Sequence, residues 1–209
     1  MKEKESGILQ EKITTGLEEA FNHVMKNRSD YYENHPTKIP NQGDSSRIIA
    51  SYTRNNAAIS GGSSLIPGPW GMAAVAPELV LVIRNQVQMI YDIGVSHGKK
   101  EKITKQLLMG IMISAMGTSA GSLMTIQGGK ILVKRASLSA MQKIIVMLGG
   151  RITQQAIKSA VSKWLPIVGA AAMATWTGYM TKKIGQHADE IFKMEINDDP
   201  TTIDIEISE

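Results

Sequence analysis

The sequence predicts an all-α protein: a single bundle of about six helices, built as hairpins punctuated by Pro and Gly. Three observations predict it. Apolar residues recur at spacings of three and four over long segments, the signature of a helix with one buried face. Aromatics are only 5% of the chain, whereas Met (13) and Ala, Leu and Lys are abundant, which favours helices over strands. At 209 residues and 43% hydrophobic content, the chain is long enough to bury a core without disulfide or metal staples. A mean hydropathy of −0.09 is too polar for a protein of many membrane spans and too apolar for a disordered one.

The first helix is expected from Ile8 to Tyr32, with Leu9, Ile13, Leu17, Phe21, Val24 and Met25 on one face. Residues 1–34 thus form an N-terminal amphipathic helix. Pro36, Pro40 and Gly43 mark 35–45 as a linker, and 46–194 is the main helical domain. Asp44 or Ser45 caps a second helix through Ala58. Gly61, Gly62, Pro67, Gly68 and Pro69 then break it. The third helix runs from about Met72 to Gly94, with Ala76, Val80, Ile83, Val87 and Ile90 inward and Gly94 as its stop. A fourth starts near Lys100 and continues through an uncharged stretch until Gly128 and Gly129 break it. The fifth, Ser137 to Trp164, points Met141, Ile145, Leu148 and Ile152 inward. The sixth opens at Pro166, a residue suited to a first helical turn, and runs from Ile167 to about Lys193. Residues 195–209 are expected as an acidic flexible tail, although Ile203 to Ile207 alternates like a strand.

Charge is unevenly spread. Lys and Arg total 23 and Asp and Glu 19, yet six of the acids fall in the last fifteen residues, where there is no base. The basic body suits an anionic membrane surface or a protein partner. Nucleic acid is not expected, because no aromatics interleave the basic residues and no helix-turn-helix pattern emerges. Three stretches carry no charge: 55–77, 107–129 and 164–181. They are long enough to span a bilayer, but their Pro, Gly, Ser and Ala content argues against simple spans. Their small residues suit close helix packing: Gly117 with Gly121 forms a GxxxG pair, and Ala170, Ala174 and Gly178 form a row. Basic residues flank these stretches. Lys99, Lys100, Lys102 and Lys105 precede the second, Lys130, Lys134 and Arg135 follow it, and Lys182 and Lys183 follow the third. Cations at the ends of an apolar segment fit anionic headgroups.

The same inventory excludes several chemistries. There is no Cys, hence no thiol catalysis, disulfide or Cys-ligated metal. Glu19 and His23 have metal-compatible spacing but no second pair, so no metal and no cofactor are expected. The Gly-rich run lacks the Lys-Ser/Thr of a phosphate-binding loop, and there is no Gly-x-Ser-x-Gly elbow. No catalytic residue is assigned. A small hydrolase or transferase would need Glu78, Arg84 and Asp92 to converge. No apolar signal segment opens the sequence, so a cytoplasmic location is expected.

The segment from Asn55 to Val95 resembles the signature region of the EcsC family and of the YcjF-type helical domains appended to some Era-like GTPases. The matching features are Gly61-Gly62, Pro67-Gly68, the helix opened by Pro77, and Tyr91 with Gly94 at its end. A second segment is similar to the C-terminal helix of that family, through Leu165, Pro166, Gly169, Ala170, Gly185 and Ala188. Together these cover about residues 46–193. Family members often carry Asp two residues before the second Pro, where this chain has Val75. The resemblance implies an all-α, membrane-associated bacterial protein that acts by binding at the cytoplasmic membrane face, often linked to transport or secretion. The alternative is a soluble interaction module, such as an immunity or adaptor protein, that binds a protein partner.

Overall fold

The computed structural model describes residues 2–62, 69–117, 123–161 and 166–203. Six helices dominate it: α1 (Lys2–Asn34), α2 (Ser45–Gly62), α3 (Pro69–Ser96), α4 (Lys105–Ala115), α5 (Leu138–Val161) and α6 (Pro166–Lys193). Most of the predicted inward residues form one core, although Val80 is only partly buried, its side chain lying against Gly16 of α1. Ile13, Leu17 and Phe21 of α1, Ile83, Val87 and Ile90 of α3 and Ile145, Leu148 and Ile152 of α5 are all buried in it. Helix α1 lies against α3 and α5 and supplies part of that same core.

The protein is not purely helical. Strands β1 (Met124–Gln127), β2 (Lys130–Ala136) and β3 (Glu195–Ile203) form a sheet in that order. The expectation of a fourth helix running to Gly128 is thereby corrected, because α4 stops at Ala115. Gly128 and Gly129 do not merely break a helix. Both have positive φ (59° and 76°) and join Gln127 to its partner Lys130 in a two-residue hairpin, which demands such a backbone. Ile131 and Val133 of β2 alternate inward, under α4 and α5. The flexible acidic tail expected over 195–209 is corrected for its first part: 195–203 is β3, parallel to β2, with α5 and α6 as the crossover, while 204–209 lie outside the described residues. The register slips between Lys134↔Asp199 and Arg135↔Thr202, leaving Pro200, which has no N–H to donate, in the irregularity.

Helix ends are set by backbone chemistry. Thr104 caps α4 by accepting from Leu107 N–H at 3.2 Å. Gly94 does not end α3. The stop is Gly98, with φ 69°, where Lys99 N–H reaches Gly94 C=O (3.0 Å) and Gly98 N–H reaches Val95 C=O (2.9 Å), a Schellman pair. Gly117, read as half of a GxxxG packing pair, is instead the left-handed stop after α4 (φ 70°), and no atom lies within 4 Å of where its Cβ would be. Its companion Gly121 lies outside the described residues, as do Pro67 and Gly68. Pro77 is inside α3, which opens at Pro69, so it does not initiate the helix.

The row on α6 packs against α2 in an antiparallel sense. A Cβ on Gly61 would touch Ala174 Cβ at 3.6 Å, and one on Gly178 would touch Ala57 Cβ at 3.5 Å. Asn56 Nδ2 donates to Thr181 Oγ1 (3.1 Å) and Thr177 Oγ1 to Ser60 Oγ (2.9 Å), all four residues fully buried. Small side chains let the backbones approach, and the hydrogen bonds fix the register. Pro166, Gly169 and Ala170 lie in the first turns of α6, ahead of this contact.

Candidate functional site

The nine basic residues singled out from the sequence differ in how far their charge is met by a partner. Lys99 reaches from the end of α3 to the Met194 carbonyl oxygen, and burial lowers its pKa from the ordinary lysine value. Lys100 pairs with Glu33 at 3.0 Å, and Lys105 donates to Asn22 Oδ1 at 2.9 Å. Lys130 pairs with Glu195 at 3.0 Å, and Lys134 stands opposite Asp199 in the β2–β3 ladder. The acidic segment thus lies along the basic strand and offsets it. Lys102, Arg135, Lys182 and Lys183 remain exposed to solvent.

On α6, among the residues whose burial is described, Ala171, Thr175, Tyr179, Lys182, Lys183 and Gln186 are the exposed positions before the first acid of that helix, Asp189. At 100° per residue these fall on one outward arc, because the opposite arc (Met173, Thr177, Thr181, Ile184, Ala188) is buried. Tyr179 is 62% exposed, unusual for so large a ring. Sequence reasoning found the two lysines of this stripe but not the tyrosine. The signal was there, in the i, i+4 spacing that runs from Ala171 through Thr175 to Tyr179.

Glu78, Arg84 and Asp92 do not converge. Glu78 and Asp92 are buried nearly four turns apart on α3, while Arg84 is exposed beside His23. Asp92 is instead the centre of a closed network. Arg28 clamps it with Nε (2.8 Å) and Nη2 (2.7 Å), and the Tyr32 and Tyr52 hydroxyls donate to its two oxygens at 2.9 Å. Burial raises its pKa from 3.8, against the pull of these four donors, and burial likewise raises both tyrosines. The network ties α1, α2 and α3 together.

A second polar knot lines an open cleft of about 400 Å³ where α2 begins and α3 and α6 end. His97 Nε2 lies 2.9 Å from Asp189 Oδ1 and 3.3 Å from Ser45 Oγ, and Lys193 holds Asp189 at 2.6 Å. A Ser-His-Asp relay needs the serine and the carboxylate on opposite ring nitrogens. Here both face one nitrogen, so the arrangement fastens three helix ends. Burial raises the Asp189 carboxyl; hydrogen bonds from Lys193, His97 and Ser45 outweigh that and hold it below the usual carboxylate range. Among the described residues, no group of three or more His, Asp and Glu is placed to hold a metal.

His187 gives a pH prediction. Burial lowers its pKa below 6.5, Lys183 adds to this and Glu190 opposes it, while Nε2 lies 2.7 Å from Ser114 Oγ of α4. An imidazole with a depressed folded-state pKa takes its proton first in the unfolded chain. Stability therefore falls as pH drops below 6.5, until the folded protein protonates too. Urea midpoints at stepped pH should show this decline, and His187→Gln should reduce it; an unchanged pH slope in that variant would refute the assignment.

Comparison with protein families, with curated proteins and with solved structures found no match. No helix among the described residues is long and apolar enough to cross a membrane.

Proposed function

We propose that this protein is a non-enzymatic helical binding protein that associates peripherally with the anionic cytoplasmic face of a membrane, as its EcsC-like segments imply, in the service of transport or secretion. The carrying observation is the unequal compensation of charge. Lys99, Lys100, Lys105, Lys130 and Lys134 are drawn toward Glu33, Glu195, Asp199 and protein oxygens, and the exposed Lys102 and Arg135 stand among them, whereas Lys182 and Lys183 stand exposed together beside Tyr179. Lysine beside an exposed aromatic ring matches the chemistry of a headgroup region, cationic and amphipathic together. The alternative, an interaction module that presents an acidic arm to a protein partner, is less favoured, since Glu195 and Asp199 already face Lys130 and Lys134 in the sheet.

The test is co-sedimentation of the full chain with vesicles. Binding to phosphatidylcholine–phosphatidylserine vesicles, absent on pure phosphatidylcholine and reversed by high salt, is the expected result. No sedimentation with anionic vesicles at low salt would overturn the reading.

A further inference from the structure

We propose that the protein lies on the anionic bilayer through the combined outer face of α2 and α6, an assignment that rests on the peripheral-membrane reading above. The antiparallel packing of these helices sets their outer arcs side by side. Thr53 and Ala57 of α2 lie against Gly178, and Asn56 bonds Thr181, so Arg54 follows one contact residue and Lys182 the other at the same level of the pair. Arg54 and Ala58 are exposed on α2, as Thr175, Tyr179, Lys182 and Lys183 are on α6. Helix α2 carries Arg47 and Arg54 and no acid; α6 carries no acid before Asp189. Arg47 has a partner in Asp44 at 3.3 Å, which leaves Arg54, Lys182 and Lys183 as the cationic centre.

The shape of this face selects the occupant. Two helix surfaces lying side by side, with short side chains at Ala58, Ala171 and Thr175 and one tyrosine, make a shallow platform. A bilayer surface is the flat, diffuse anion that such a platform meets without a pocket. Arginine and lysine engage lipid phosphate and carboxylate, and a tyrosine ring sits at the headgroup level. The inward arcs of α2 bury Ile49, Asn56 and Ser60 against α3 and α6, so docking there demands no rearrangement of the bundle.

The experiment compares two double charge reversals of equal net change in the full chain. Lys182→Glu/Lys183→Glu alters the platform. Lys102→Glu/Arg135→Glu alters exposed bases elsewhere. With phosphatidylcholine–phosphatidylserine vesicles, the platform variant should lose more than about 30-fold in partitioning, given the contribution of each base near an anionic surface. The control variant should lose less than about threefold, because bases held off the surface are screened by salt. Both variants should keep the wild-type circular dichroism and melting temperature. Equal losses in the two variants, or a loss confined to the control, would overturn the platform while leaving membrane binding intact. Failure of the wild-type chain to bind would instead overturn the reading on which the platform rests. Binding of polyglutamate but not vesicles would place an acidic polypeptide on this face and overturn the bilayer as its occupant.

Discussion

Replacing Asp92 by Ala is expected to destabilise the fold by about 3–5 kcal/mol, read as a lower urea midpoint at constant slope. The reason is what remains rather than what is removed. Arg28 keeps its charge with a side chain only 17% exposed, and the Tyr32 and Tyr52 hydroxyls lose their acceptor inside the protein. The guanidinium also lies over both Tyr31 and Tyr32, at 4.7 and 4.8 Å from the ring centroids, so full hydration would require it to leave both ring faces. Tyr52→Phe removes one neutral donor and should cost only about 0.5–1.5 kcal/mol. A cost for Asp92→Ala below that of Tyr52→Phe would show that the network is incidental to the fold.

The second large effect is steric and lies two residues further along α3, at Gly94. Phe192 is fully buried, its ring resting on Gly94 and stacked 6.5 Å from His97. Truncation to Ala should cost about 3–5 kcal/mol, the transfer term plus the cavity. The reciprocal change is as informative. A Cβ on Gly94 would sit 2.7 Å from Phe192 Cζ and 2.8 Å from Ile103 Cδ1. Gly94→Ala should therefore destabilise by about 1–3 kcal/mol, even though Ala is the better helix former by about 1 kcal/mol. Because the clash is with the ring, Phe192→Leu should partly relieve it. The double variant should be more stable than the sum of the two single losses, and strict additivity would refute the knob-on-glycine contact.

The helices were legible because their cause is local. Leu9, Ile13, Leu17 and Phe21 repeat on one face, and a strip of that kind has to be buried whatever lies opposite it. The sheet was missed for two reasons. Met124 to Gln127 reads as an apolar continuation of α4, and Gly128-Gly129 as its break, unless that pair is taken as a hairpin turn between alternating residues, which is how the backbone uses it. Strand β3 is polar and carries Pro200; only its partner β2, distant in sequence, gives it a place. The glycines divide along the same line. Gly178 packs as its spacing suggests, whereas Gly94 and Gly117 exchanged roles with neighbours: one fills a contact, the other ends a helix. Basic clusters were visible as clusters, but which lysines meet an acid depends on Glu33 and Glu195, far away in the chain.

The parallel pairing of β2 with β3 has a kinetic consequence. Lys130 and Glu195 are ladder partners 65 residues apart, and both long helices α5 and α6 lie between them. The β1–β2 hairpin closes over two residues and can form within microseconds; the third strand has to await the helical pair that carries it back. Sheet completion is thus a late, high-contact-order event, coupled to the correct docking of α6 on α2.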